Sequence, residues 1–191
     1  GRQVFSGRLN RGALWHHLFL IESAAGSQYD LLIRHLRENR RLPDGLVCLA
    51  GSGTGFHGFR NRPWEALSGN LHLTVFLAPL KAVPSYGAAF MSLPAVSALE
   101  AIDAVSGLGG RARIKWVNDL LLEDAKVCGV LAHSQTQGTT VTGVVLGLGM
   151  NVETRPQIGV SPFVPTTGCL REFAPPSSEC TQRAVLDSLL Q

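Results

Sequence analysis

Lys115-Trp116-Val117-Asn118-Asp119, followed by Lys126-Val127-Cys128-Gly129-Val130-Leu131, sets two lysines, a carboxylate and an amide at the edges of apolar runs. The surrounding pattern from Arg113 to Val152 reads strand, turn, strand, turn, strand. The strands are Ile114 to Leu122, Val127 to Ser134 and Val141 to Val152, with Asp124 and Gln137-Gly138-Thr139 supplying turn chemistry. These three predict an antiparallel meander. On one strand of period two, Lys115, Val117 and Asp119 share a face, and Trp116 and Asn118 share the other. Buried charge costs free energy unless it is paired or meets a charged ligand. The residues alone therefore leave two readings open: a cluster that meets a charged ligand, or a structural ion pair of Asp119 with Lys115 or Lys126.

Working outward, His17 to Ile21 reads as a strand and Gln28 to Arg40 as a helix with Leu31, Leu32 and Leu36 at helical spacing; Pro43-Asp44-Gly45 closes the unit. Leu46 to Ala50 is a second strand. It empties into a loop holding Gly51, Gly53, Gly55 and Gly58, where backbone amides can approach an anion without a Cβ in the way. Asn70 to Leu77 is a further strand, and Leu93 to Val105 a helix. The Pro-, Thr- and Gly-rich stretch Glu153 to Ser178 predicts irregular structure, and Glu179 to Leu190 a terminal helix. The order predicts one α+β domain over residues 1–191: a mixed, largely antiparallel sheet of about six or seven strands with helices on one face.

Composition narrows the function. With 45% hydrophobic and 16% charged residues in 191, the chain can bury a core of ordinary size. The net charge is +3 and the basic residues are scattered from Arg2 to Arg183, which gives no stripe able to neutralise a run of phosphates. The longest apolar stretches are about half the ~20 residues that a spanning helix needs. The opening Gly1 to Arg11 carries arginines and no apolar core of a secretory signal. Together these predict a cytoplasmic setting with neither DNA nor membrane as partner. Cys48, Cys128, Cys169 and Cys180 lack the spacing of a zinc site.

Four segments in order resemble the biotin branch of the biotin and lipoate protein ligase superfamily. The central string is similar to that family's Lys-Trp-Pro-Asn-Asp, followed by Lys-x-x-Gly-hydrophobic-Leu, with Val117 in the proline position. Gly69-Asn70-Leu71-His72-Leu73-Thr74 resembles its Gly-Asn-Leu-Tyr-x-Ser strand, and Gly147-Leu148-Gly149-Met150-Asn151-Val152 its Gly-x-Gly-hydrophobic-Asn strand end. Glu22 to Tyr29 stands where the family has Asp-Ser-Thr-Asn: Ser23 fits, its neighbours match only with an insertion, and Ser23 or Ser27 would hydrogen-bond the ligand's ring or cap the helix that follows. Gly53-Thr54-Gly55-Phe56-His57-Gly58-Phe59 keeps the glycines of Gly-Arg-Gly-x-x-Gly-Arg, but Thr54, Phe56 and Phe59 stand where arginines are usual, and Trp64 arrives late.

The resemblance implies the biotin protein ligase catalytic fold, related to class II aminoacyl-tRNA synthetases, without an N-terminal DNA-binding domain or a C-terminal barrel. It implies activation of biotin by ATP with Mg2+ to biotinyl-5'-AMP, then transfer to a lysine of a biotin carboxyl carrier protein domain. Lys126 would offset charge at the α-phosphate, Asp119 would orient or deprotonate the acceptor lysine, and Lys115 would add positive potential. Ser23, Gly53, Thr54, Gly55, Phe56, Trp116, Asn118, Gly129 and Asn151 would contact biotin or nucleotide. No residue is singled out as the magnesium ligand, and a homodimer is compatible with the resemblance. Arg60, Arg62 and His57 are candidates to substitute for the missing arginines, or are solvated loop residues. A lipoyl or octanoyl transferase of the same superfold, and a non-catalytic binder of biotin or a nucleotide, are the alternatives.

Overall fold

The computed structural model describes residues 4–7, 14–157 and 166–191. The chain runs β1 (Val4–Gly7), β2 (His17–Ala24), α1 (Gln28–Arg37), β3 (Leu46–Gly53), β4 (Leu71–Leu77), β5 (Lys81–Ala82), α2 (Tyr86–Asp103), β6 (Ala112–Lys115), β7 (Asp119–Leu122), β8 (Ala125–Gln137), β9 (Thr140–Met150), α3 (Leu170–Phe173) and α4 (Gln182–Leu189). Among these residues the strands form one nine-stranded sheet of order β1-β2-β3-β4-β9-β8-β7-β6, with β5 beside β9. Only β2 and β3 pair in parallel. The sheet is therefore mixed and largely antiparallel, as the element order predicts. No helix among these residues is long and apolar enough to cross a membrane.

The sheet exceeds the expected six or seven strands for three reasons: β1 forms ahead of β2, the short β5 is added, and the expected strand Ile114 to Leu122 is two. Lys115 pairs with Asp119 across a three-residue turn, so this stretch is a hairpin. Asn118 fixes the turn: its side-chain amide donates to the Val130 carbonyl at 3.2 Å, and its own carbonyl accepts from Val130 N–H at 2.9 Å.

Two layers cover the sheet, one on each face, which corrects the expectation of helices on a single face. Leu71, Leu73 and Val75 of β4 lie opposite Met150, Leu148 and Leu146 of β9 and are buried with Ala95, Ala98 and Ile102 of α2 and Val185 of α4. The alternate positions face the other way. There Phe76 and Val145 are buried with Leu32, Ile33 and Leu36 of α1, each such side chain contributing roughly 1.5–3 kcal/mol on burial. Ser27 caps α1 by accepting from Asp30 N–H.

α2 begins at Tyr86, well before the expected Leu93, and runs through the buried Pro94; burial of its apolar surface outweighs the hydrogen bond that proline cannot make. The terminal helix starts at Gln182 with Thr181 as its cap. Of the expected irregular segment, 158–165 lie outside the described residues, and the rest holds only the short α3.

Asn70 locks the end of β9. Its buried Oδ1 accepts from the N–H groups of Val152 (2.9 Å), Glu153 (3.2 Å) and Thr154 (3.0 Å), and its Nδ2 donates to the Thr154 carbonyl at 2.8 Å. Gly69 precedes it at φ +83°, where a Cβ would lie 3.0 Å from the Glu153 Cβ. The Gly-Asn pair of the sequence motif therefore has a structural task.

Candidate functional site

On the α1 face, the strands present glycine where aromatic rings lie against the sheet. A Cβ on Gly147 would sit 2.9 Å from Cδ2 of Tyr29, and one on Gly149 would sit 2.6 Å from Cε2 and Cζ2 of Trp64. A Cβ on Gly129 would meet Lys126 Nζ at 3.2 Å. Gly129 and Gly149 are opposed residues of β8 and β9, and His72 and Thr74 of β4 lie opposite Gly149 and Gly147. These residues floor a pocket closed by Ser27 and Tyr29 from α1 and its cap, by Phe56, His57, Gly58 and Trp64 from the glycine loop, and by Asn118 and Lys126.

The pocket's cavity is about 50 Å³, room for a few waters but far below the ~300–1,000 Å³ of a small-molecule site. Phe56 and Trp64 must shift for a ligand to enter. A larger cavity of about 550 Å³ lies on the other sheet face, lined by leucines, Val75, Trp15, Pro94, Ser97 and Gln191. Among the described residues its lining is apolar apart from Ser97 and Gln191.

Lys126 and Asp119 form the site's charged element. Nζ lies 2.6 Å from Oδ1, and the two side chains are only 16% and 13% exposed. β7 and β8 are antiparallel neighbours with Asp119 opposite Gly129, and the missing side chain at Gly129 leaves the space that the lysine occupies. The ammonium also lies 5.8 Å from the centre of the Trp64 ring, within cation–π range.

Two histidines in the pocket have opposite tendencies. His72 is buried, and its ring is held below the ordinary histidine range chiefly by that burial, against the opposing effect of its bond to Leu67. Nε2 donates to the Leu67 carbonyl at 3.0 Å, so the neutral ring accepts at Nδ1 from Trp64 Nε1, 3.4 Å away. His57 is raised, first by its hydrogen bond to the Gly58 carbonyl and next by Asp30. Burial, reinforced by Asp30, pushes the Tyr29 phenol up to about 12.

Of the residues singled out in the sequence, Lys126, Asn118, Gly129 and Phe56 line the pocket, and Asp119 joins through Lys126. Lys115 ends β6 opposite Asp119 and so shares its sheet face, although not the pocket lining. Trp116 is 78% exposed and does not line the pocket. Ser23 is exposed on β2, opposite Ser52; the serine at the pocket is Ser27. Gly53, Thr54 and Gly55 lie ahead of the lining. Gly53 N–H donates to Ala66 and Thr54 N–H to Ala24, so neither amide is presented to an anion here. Asn151 is buried; its Nδ2 donates to the Gly168 carbonyl at 3.0 Å, while its Oδ1 has no hydrogen-bond partner among the described residues. Tyr29 and Thr74 also line the pocket; the sequence holds both within matched segments but gives neither a role.

The model of the biotin/lipoate A/B protein ligase family matches residues 26–151, the span that holds every element of this pocket. The chain belongs to that family. It is 37% identical over 103 residues to the biotin--[acetyl-CoA-carboxylase] ligase of Paracoccus denitrificans, covering 53% of this chain and 42% of that protein. To the bifunctional ligase/repressor BirA of Bacillus spizizenii it is 30% identical over 122 residues, 62% of this chain and 36% of that protein. The chain thus spans less than half the length of these family relatives. In fold it is similar to the Aquifex aeolicus biotin protein ligase solved with biotin and ATP, at a TM-score of 0.65 and 21% identity over 91% of this chain and 66% of that one.

Proposed function

We propose that this unit activates biotin with ATP and transfers it to a lysine of a carrier protein. The observation that carries the reading is the Lys126–Asp119 pair at 2.6 Å, set at the edge of a largely apolar pocket. Two anions have to meet there, and a fixed ammonium in a poorly hydrated site offsets their repulsion far better than one in water.

In the first step, a carboxylate oxygen of biotin attacks the α-phosphorus of ATP. The bond from that phosphorus to the bridging oxygen breaks, and pyrophosphate leaves. Lys126, ion-paired with Asp119, turns its N–H donors towards charge developing on the phosphoryl oxygens. In the second step, the neutral amine of the carrier lysine attacks the acyl carbon and AMP departs as the amide forms. Asp119 is placed to orient that amine and to take its proton.

Magnesium belongs to this proposal as the ion that accompanies the triphosphate. Among the described residues no group of three or more His, Cys, Asp or Glu gathers to hold a metal. A cytoplasmic setting belongs to the same proposal. Thr54, Phe56 and Phe59, in place of arginines, favour a second reading: a binder of biotin or nucleotide that completes neither step.

Titration calorimetry with biotin, then biotin with ATP and magnesium, then lipoate, tests the proposal, with Lys126→Ala as the control. Biotin heat that strengthens with ATP and disappears in the variant supports ligation. Heat with lipoate alone, or with nothing, contradicts it.

A further inference from the structure

His57 places both ring nitrogens against oxygens. Nε2 lies 2.9 Å from each carboxylate oxygen of Asp30, and Nδ1 lies 3.0 Å from the carbonyl of Gly58. A neutral imidazole has one N–H, whereas this arrangement uses two donors and is complete only with the imidazolium. The contact links the glycine loop to the first turn of α1, 27 residues away in sequence. The loop also meets the segment ahead of α1: Thr54 N–H donates to the Ala24 carbonyl at the end of β2, and a Cβ on Gly55 would lie 3.9 Å from the Gly26 Cα. Between Phe56 and Trp64 the loop closes on itself through Trp64 N–H to Phe56 and Gly58 N–H to Arg62. His57 therefore lies in the loop that closes the pocket, next to Phe56 and lining the same pocket as Trp64.

The geometry points to His57 as a positioning residue: clamped as an imidazolium between Asp30 and Gly58, it holds the glycine loop over the pocket and releases the loop when it loses its proton. The inference deepens the function proposed above, since the pocket closed by this loop is the one assigned to biotin. In this chain the loop lacks the usual arginines, and the clamp supplies a hold on the roof through the protein itself rather than through the ligand's phosphate.

The other ionisable groups around it do not compete for its proton. Asp30 on α1 is the carboxylate it faces. Tyr29, next along that helix, stays neutral with its phenol at about 12. From β4, His72 is kept neutral by burial. Lys126 shares the pocket from β8 but is paired with Asp119. Within the loop, Arg60 stacks over Phe59 with its guanidinium 5.5 Å from the ring centre, and Arg62 lies beyond it in the same loop.

A histidine raised in the closed state closes the loop fully below its ordinary value of about 6.5 and loses that contribution as the pH rises through the raised value. The pair is partly exposed, at 24% and 44% for the two side chains, so a modest effect of about threefold to fivefold on loop opening is expected.

Hydrogen exchange of amides 54–62 in the whole protein, corrected for intrinsic pH dependence, tests this without any ligand. Wild type should open about threefold to fivefold more at pH 9 than at pH 6, and Asp30→Asn or His57→Gln should open equally at both. A side-chain titration of His57 should show its midpoint falling in Asp30→Asn. Exchange independent of pH in wild type, or unchanged by both variants, overturns the clamp. Biotin dissociation measured alongside separates the two claims: a pH-dependent roof with no biotin binding keeps the clamp and removes the substrate, whereas biotin binding with a pH-independent roof does the reverse.

Discussion

Replacing Lys126 with methionine keeps an unbranched side chain one heavy atom shorter and removes the ammonium, with its charge and its donors. Asp119 is then left 13% exposed with its Oδ1 facing an apolar end group, and among the described residues no hydrogen-bond donor serves that oxygen. Removing one partner of a buried pair costs about 3–5 kcal/mol; the residual exposure of this pair puts the expectation at the lower end, about 3 kcal/mol. For a domain of this size, 1 kcal/mol shifts Tm by about 2–4 °C, so Lys126→Met should melt roughly 6–12 °C below wild type. Asp119→Asn combined with Lys126→Met removes the stranded charge and should recover at least half of that loss, because the two sites share one interaction. Activation of the acid should be absent in both. Thermal unfolding monitored by circular dichroism, with ligand titration on the same samples, reads both quantities. A single variant within 2 °C of wild type, or a double variant no more stable than the single one, would refute the claim that this pair is a buried and mutually dependent unit.

Asn70→Ala leaves three consecutive N–H groups at the end of β9 without their shared acceptor, and urea unfolding should show a loss of about 2–4 kcal/mol. Gly149→Ala forces Trp64 off the strand, since a Cβ would approach it to 2.6 Å; stability should fall by about 1–3 kcal/mol and ligand affinity by at least about tenfold, measured calorimetrically. Thr54→Arg with Phe59→Arg restores positive charge at two exposed positions. Folding should change by no more than about 0.5 kcal/mol, while a preformed acyl-adenylate should dissociate more slowly, as read by its retention on gel filtration.

The sheet was legible because its strands are continuous apolar runs separated by turn residues. The side on which each helix packs was not: amphipathicity in α1 identifies Leu32 and Leu36 as buried, but not the face of the sheet that buries them. The Lys115 to Asp119 stretch shows how a reading can reach a shared face by another route. Trp-Val-Asn lacks the glycine that usually marks a short hairpin loop, and its lone Asn does not outweigh the apolar run around it, so the segment reads as one strand. The structure turns there, and Lys115 and Asp119 still share a face because they are cross-strand partners.

At the pocket, Lys126, Gly129 and Asn118 could be found from their motif. The reason for Gly147 and Gly149 could not, because the rings that need the space belong to Tyr29 and Trp64, more than eighty residues away in the chain. Between Ser23 and Ser27 the structure places Ser27 at the pocket, because α1 starts there and Ser27 caps it; a motif match that allows an insertion does not fix that start. The His57–Asp30 contact joins a loop to a helix cap and leaves no periodic trace in the sequence.

Exchange of labelled pyrophosphate into ATP tests the central claim most directly, since it reports the first chemical step without a carrier protein. The account predicts exchange that requires biotin, is not supported by octanoate or lipoate, and is absent in Lys126→Met. Exchange without biotin, exchange supported by octanoate or lipoate, or no exchange in a wild-type protein that binds biotin would contradict it.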